Sequence, residues 1–244
     1  MTSSSRIIVG KILETILKLT AEKAEVNPQE IAEHSLTSES MVNEVLNKFG
    51  LRSRIGFERR VKAALEAIRL GVDGERISRY LDWREFEGLA AEAFTEIGYE
   101  VYGDLRFKYG GRRHQIDLLA YNGILMLLVD CKHWRKPPSP SEEERMIVEQ
   151  ERRLMDLRDA LSTLWRGSRE LKEITLIPVI LTIYEPKKKL LQGHMFISVG
   201  KLRGALEYLE RSYYELRSEV IKVPRDLGLD ELVKPLKRLN RWVG

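Results

Sequence analysis

The sequence predicts an α/β protein in which a small all-helical domain precedes a larger domain of helices and strands. In the first third of the chain apolar residues recur at helical spacing, as Ile12 and Ile16 do one turn apart. Two glycines within residues 71–79 mark a break, and beyond them helical patterns are interspersed with short apolar runs typical of strands. We therefore predict a helical domain over residues 1–75 and an α/β domain over residues 80–244.

The composition is that of a soluble globular protein with a heavily charged surface, since 32% of the 244 residues are charged and 43% are hydrophobic. A net charge of +4 and a pI of about 9.0 favour a polyanionic partner. The single cysteine, Cys131, excludes an internal disulfide and a cysteine-based zinc site. Lys11, Glu14 and Lys18 interrupt the first apolar stretch, so we expect a cytoplasmic protein without a signal peptide or a membrane span.

The helical domain contains two short predicted helices joined by a tight turn, an arrangement that resembles a helix-turn-helix unit. Asn27-Pro28-Gln29-Glu30 is typical of a helix start, and Gly50 is a natural end for the second helix. A bundle used for dimerisation or for bracing the next domain is the alternative. Contacts with DNA phosphates are expected from the basic residues that follow the second helix: Arg52, Arg54, Arg59, Arg60 and Lys62.

The larger domain begins with Asp82-Trp83-Arg84-Glu85, a capping-box pattern that opens a helix ending at Gly98. Strands are predicted at Glu100–Val101, Gln115–Tyr121, Ile124–Lys132, Ile174–Tyr184 and Met195–Val199, of which Ile174–Tyr184 has the continuous apolar run of a buried strand. Further helices are predicted at Ser141–Trp165, Leu202–Leu216 and Leu227–Trp242.

Asn122-Gly123 between two apolar runs is a strong hairpin signal, because both turn residues tolerate a positive φ. A two-residue loop there pairs Tyr121 with Ile124 and, counting outward, pairs Asp117 with Leu128.

Because cross-strand partners share a face, Asp117 is then a diagonal neighbour of Asp130, on the face that also carries Lys132. Alternation places Cys131 on the opposite face. Two acids with one lysine leave a net buried negative charge unless a metal ion joins them. Such a group suits phosphodiester hydrolysis, in which Mg²⁺ takes carboxylate oxygens and a lysine stabilises the transition state.

These residues, Asp117 followed by Asp130-Cys131-Lys132 behind a helix with Phe86-Glu87-Gly88-Leu89, resemble the PD-(D/E)xK restriction-endonuclease-like superfamily. The Gly98-Tyr99 step and the Cys-Lys-His-Trp continuation are similar to Mrr-type restriction and archaeal repair nucleases. The resemblance covers roughly residues 82–200.

This resemblance implies a central mixed sheet flanked by helices, Mg²⁺ or Mn²⁺ as cofactor and DNA as partner. It makes Asp117 and Asp130 metal ligands and Lys132 the catalytic lysine. It also implies a further ligand in the backbone carbonyl of Cys131, and an added acidic residue in Glu87. On the helix that follows, Gln150 begins a Gln-x-x-x pattern that resembles the one RecB-like members use near the metal, but Leu154 stands where an aromatic residue usually follows. A solvated helix face is the default interpretation of Gln150.

A basic loop is predicted just before the catalytic strand, around Gly110-Gly111, where it would grip the DNA backbone. The alternative is a solvated hairpin tip. The residues assigned to DNA contact there are Arg106, Lys108, Arg112, Arg113 and His114.

The sequence thus predicts a metal-dependent deoxyribonuclease of DNA repair, recombination or restriction, and an endonuclease in preference to an exonuclease. Two alternatives stay open. One is a resolvase of branched DNA, which would act as a homodimer, and the other is a non-catalytic DNA-binding protein that keeps the fold.

Overall fold

The computed structural model describes residues 3–52, 54–134 and 136–237. The chain divides into two compact units. The first runs to Glu92 and includes Ser198–Gly200, and the second comprises Ala93–Ile197 together with the chain from Lys201 onward. The boundary between Glu92 and Ala93 lies inside a helix, later in the chain than the break in the sequence pattern at residues 71–79.

The first unit consists of helices whose starts follow the capping signals of the sequence. Asn27 accepts a hydrogen bond from the Gln29 N–H at 2.9 Å, and Asp82 and Glu85 exchange the two reciprocal bonds of a capping box at 2.9 and 2.8 Å. The helices are α1 (Ser3–Leu19), α2 (Pro28–Ser35), α3 (Glu39–Lys48), α4 (Phe57–Arg69), α5 (Gly74–Ser78) and α6 (Trp83–Glu96), the last of which ends in the second unit.

Arg60 was expected to contact phosphate, and that expectation is wrong. Its side chain is buried, and its Nε donates to Glu85 Oε1 at 2.6 Å. Its Nη1 donates to the Leu17 carbonyl at 3.0 Å and its Nη2 to the Tyr80 carbonyl at 2.5 Å. The apolar spacing of α4 is compatible with this guanidinium facing inward, where it joins three helical segments instead of facing a ligand.

Replacing Glu85 by Gln should lower the free energy of unfolding by about 3 kcal/mol, because it leaves the Arg60 charge buried without a counter-charge. Glu92→Gln is the matched control, since Glu92 is an exposed residue of the same helix. Urea denaturation followed by circular dichroism measures the difference. Equal midpoints for the two variants would show that the buried pair does not stabilise the unit.

The second unit is built on a mixed sheet, which confirms the predicted fold class. In the described residues seven strands form one sheet of order β1-β2-β3-β4-β6-β5, and β7 pairs with β4 outside this path. β3 and β4 are parallel, whereas β1–β2, β2–β3 and β4–β7 are antiparallel. The strands are β1 (Glu100–Tyr109), β2 (Arg112–Tyr121), β3 (Leu125–Lys132), β4 (Leu171–Thr182), β5 (Leu190–Leu191), β6 (His194–Ser198) and β7 (Glu219–Pro224).

Three helices accompany this sheet: α7 (Pro140–Leu164), α8 (Leu202–Ser212) and α9 (Leu229–Val233). Leu154, Leu157 and Leu161 of α7 pack in one apolar core with residues of β1, β2, β3, β4 and β7. The buried character predicted for the fourth strand is confirmed, because residues 174–182 are all buried or nearly so. No helix of the described part of the chain is long and apolar enough to cross a membrane.

Several predicted elements differ in extent from the observed ones. The first strand continues to Tyr109 and the second begins at Arg112, because Gly110 and Gly111 form a two-residue turn with φ of 53° and 79°. The predicted basic loop is therefore the tip of a β-hairpin. The predicted C-terminal helix ends after Val233 as α9 and continues as a 3₁₀ helix over Lys234–Lys237, since Pro235 supplies no N–H. The remainder of that prediction, 238–242, lies outside the described residues.

Candidate active site

The hairpin that carries the predicted site turns one residue later than the sequence suggested. Asn122 Oδ1 accepts hydrogen bonds from the N–H groups of Ile124 and Leu125, at 3.2 and 2.8 Å, and Asn122 N donates to the Leu125 carbonyl. The turn residues are consequently Gly123, with φ of 95°, and Ile124. The expected pairing of Tyr121 with Ile124 is wrong, because Tyr121 pairs with Met126.

This shift brings the two acidic residues closer than predicted. Leu118 pairs with Val129, so the same register places Asp117 opposite Asp130 and not opposite Leu128. Moving a turn by one residue changes each partner by two positions, which leaves the two carboxylates on one face. The Cys131 N–H donates to Asp117 Oδ2 at 2.8 Å and holds that carboxylate at the end of β3.

Asp130 is almost completely buried, with 4% of its surface exposed, and two cations approach it. Lys132 Nζ lies 2.9 Å from Asp130 Oδ2, and Arg153 Nη1 donates to Asp130 Oδ1 at 3.0 Å. Oδ2 is buried and receives no well-directed hydrogen bond within the described part of the chain, although Lys132 is near. This oxygen therefore retains the capacity to bind a cation.

Arg153 is the site residue that the sequence analysis missed. It follows Gln150 by three positions on α7, in a charged stretch that was interpreted as solvated. That interpretation is wrong for Gln150, which is 1% exposed and donates to the carbonyls of Leu128 and Val179 at 3.0 and 3.1 Å. The spacing of three residues was the available signal, because it places both side chains on one side of a helix.

Arg153 also removes one argument for a metal ion. The two carboxylates face two cations, Lys132 and Arg153, so charge balance by itself does not require a third. Even so, burial and the adjacent charge of Asp130 raise the pKa of Asp117, against the opposing effects of the Cys131 N–H and both cations. Ionisation of Asp117 thus remains unfavourable in the folded protein.

The oxygen atoms of this site suit a hard cation that takes only a few of its ligands from the protein. Asp117 and Asp130 offer carboxylate oxygens, and Mg²⁺ is commonly bound by one or two carboxylates with water and substrate phosphate. Within the described residues no group of three or more His, Cys, Asp or Glu side chains is arranged to hold a metal ion. Glu87 is half-buried on α6 and belongs to the first unit, and its place in the site stays a prediction.

Some basic residues of the hairpin tip form ion pairs with acidic residues, and others do not. Arg112 donates to both oxygens of Asp156 at 2.9 and 2.7 Å, and His114 Nε2 lies 2.6 Å from Asp156 Oδ2. Arg106 pairs with Asp104 at 2.9 Å. For Arg113 and Lys108, the described residues include no side-chain ion pair. DNA contact by these residues stays a prediction.

Residues 78–153 match the family model of the Mrr catalytic domain, described as a restriction endonuclease. This segment is therefore similar to the catalytic domains of restriction endonucleases. The match spans 76 of the 244 residues and contains Glu87, Asp117, Asp130 and Lys132. Such domains act on DNA and generally use divalent metals. No curated protein and no solved structure gave a match.

Replacing Asp117 by Asn should raise the melting temperature of the metal-free domain. The raised pKa of Asp117 means that the folded state disfavours its ionised form, a penalty that is fully present above that pKa and relieved as the pH falls towards the ordinary value. The stabilisation by Asn should therefore be largest at neutral pH and fade in acid.

Thermal melting in excess chelator between pH 4 and pH 8 measures this difference. Asp226→Asn is the control, since Asp226 is an exposed aspartate of the same unit. A lower melting temperature for Asp117→Asn than for wild type at pH 7 would contradict the penalty.

Proposed function

We propose that the chain is a Mg²⁺- or Mn²⁺-dependent deoxyribonuclease that cuts within DNA strands, in restriction, repair or recombination. The observation that carries the proposal is a pair of opposed carboxylates, one buried and one half-buried, beside a lysine and inside the segment that matches the restriction-endonuclease family. A buried carboxylate oxygen without a well-directed donor supports the binding of a cation at this pair.

In this proposal Asp117 and Asp130 hold the metal ion, which neutralises phosphate charge and lowers the pKa of a bound water. The backbone carbonyl of Cys131 is the proposed further ligand, and the N–H of the same residue holds the Asp117 carboxylate. Glu87 is the proposed fourth acidic residue. Its position in the matched segment and its half-buried side chain support that assignment.

Lys132 is the proposed catalytic lysine. The position and the exposure of its side chain support this role. Its Nζ lies 2.9 Å from Asp130 and 5.9 Å from the centre of the Trp134 ring, so the ammonium group is held at the end of β3. With 18% of its surface exposed, it remains accessible to a phosphate or to an attacking water. A cation so placed stabilises the charge that develops in the transition state.

Asp130→Asn should reduce single-turnover cleavage roughly a hundredfold or more, because a metal ligand loses its charge with little change in volume. Lys132→Ala should lose cleavage to a similar degree yet still bind Mn²⁺ in calorimetry. DNA binding should survive in both, and Asp226→Asn should behave as wild type. Glu87→Gln tests the role of Glu87, since a large loss of cleavage would assign this residue to the metal site.

Cleavage should also stop in excess chelator and return with Mg²⁺ or Mn²⁺. A covalently closed circular duplex is the substrate of choice, because only an endonuclease can cut it. Wild-type rates for Asp130→Asn would contradict the site, and a wild-type chain that binds neither metal at this pair would favour the non-catalytic alternative.

The helical unit is proposed to bind the DNA backbone through Arg52 and Arg54, which are exposed after α3. α3 itself is a poor phosphate ligand, because its exposed residues include Glu39 and Glu44. Any such binding therefore depends on the arginines that follow the helix.

Replacing both Arg52 and Arg54 by Gln should weaken DNA binding and lower its salt dependence, by about 0.9 in the log–log slope for each phosphate that is no longer neutralised. The rate of cleavage at saturating enzyme should not change. Lys11→Gln with Lys18→Gln is the control, since both lysines are exposed on α1 of the same unit. A slope equal to that of the control would assign the unit to assembly or bracing.

A further inference from the structure

A cavity of about 460 Å³ lies between the tip of the β1–β2 hairpin and the first half of α7. Its walls are polar, with four guanidinium groups and a single carboxylate. Such a lining is unsuited to an apolar ligand and suited to an anion. The residues that line it are Arg112, Arg113, His114, Gln115, Glu149, Arg152 and Arg153.

The walls of this cavity are fixed by a buried carboxylate. Asp156, which is 4% exposed, accepts two hydrogen bonds from Arg112 and contacts His114. The ring of His114 stacks on Phe107 at 5.0 Å between centroids. Since these contacts hold the hairpin tip against α7, the cavity exists without a ligand and requires little ordering when one binds.

Two of its arginines have no acidic partner. Within the described residues the side chains of Arg113 and Arg152 make no ion pair or hydrogen bond, and both are exposed. Two arginines elsewhere in the same unit are paired instead, Arg217 with Glu151 at 2.6 Å and Arg158 with Glu219 at 3.1 Å. Unpaired guanidinium groups on a concave wall are available to a ligand, and their planar forks match phosphate oxygens.

Arg153 connects the cavity to the candidate active site. It lines the cavity and donates to Asp130 Oδ1 at 3.0 Å, so the cavity opens beside the carboxylates proposed to hold the metal ion. A nucleic-acid strand with one phosphate at those carboxylates presents its next phosphates nearby. Because the cavity lies next to the candidate active site, a phosphate of the same strand is a more suitable ligand than an unrelated anion.

We propose that this cavity is a second phosphate subsite, in which Arg113 and Arg152 bind a phosphate of the DNA strand close to the one that is cut. The amide of Gln115 supplies a further donor. Arg112 is a positioning residue, because its Nε and Nη2 are already bound to Asp156. The proposal rests on the proposed function for the identity of the strand, and its test needs no cleavage.

The test measures DNA affinity of the full chain by fluorescence anisotropy in excess chelator, from 50 to 300 mM salt (roughly the range over which phosphate contacts are screened). Arg113→Gln with Arg152→Gln should lower the log–log salt slope by about 1 to 2, corresponding to one or two fewer neutralised phosphates. The matched control is Arg166→Gln with Arg169→Gln, which removes the same charge from exposed positions just beyond the C-terminal end of α7.

A slope lowered in the cavity variant and not in the control supports the subsite, whether or not the chain cleaves. An equal slope in both variants, or no DNA binding by wild type, overturns it. A duplex closed by hairpin loops at both ends, compared with one bearing 5′-phosphates, distinguishes an internal phosphate from a terminal one. If DNA binds with the expected slopes but Asp130→Asn cleaves like wild type, the proposed catalytic site fails and the subsite stands.

Discussion

Asp117 and Asp130 stand opposite each other on neighbouring antiparallel strands, and the surrounding structure compensates for their proximity. Side chains directly opposed in such a pair have Cβ atoms only about 4.5–5.5 Å apart, so two ionised carboxylates repel strongly. The Cys131 N–H, Lys132 and Arg153 each offset part of that repulsion. The pKa of Asp117 is nevertheless raised, first by burial and second by the charge of Asp130, so these groups do not offset the combined penalty.

Helix α7 is the element that makes this compensation possible. Gln150, Arg153 and Asp156 follow one another at intervals of three residues and each bonds to the sheet or its hairpin. Gln150 binds carbonyls of β3 and β4, Arg153 binds Asp130, and Asp156 binds Arg112. Between them the leucines of the same helix fill the apolar core. One helix therefore carries both the packing of the sheet and a line of polar contacts from the carboxylates to the basic hairpin.

The shared face of Asp117 and Asp130 could be predicted from the sequence because strand alternation has a period of two, and the misplaced turn changed the register by two. The buried fourth strand was predictable for a similar reason, since a continuous apolar run fits few other structures. The inward orientation of Gln150, Arg153 and Arg60 was not predicted, because a polar residue on an amphipathic helix usually faces water. Only tertiary contacts decide which polar residues are turned inward.

Tertiary contacts also determine which basic residues of the chain are available to a polyanion. With 41 basic and 37 acidic residues the excess is small, so attraction of a polyanion depends on which cations lack a neighbouring acid. Arg60 and Arg112 are bound to buried carboxylates, and they stabilise the fold. Arg113 and Arg152 have no such neighbour in the described residues and project into one cavity beside Asp130. A phosphate beside the carboxylate pair therefore meets two guanidinium groups that no acid neutralises, although the net charge of the chain is small.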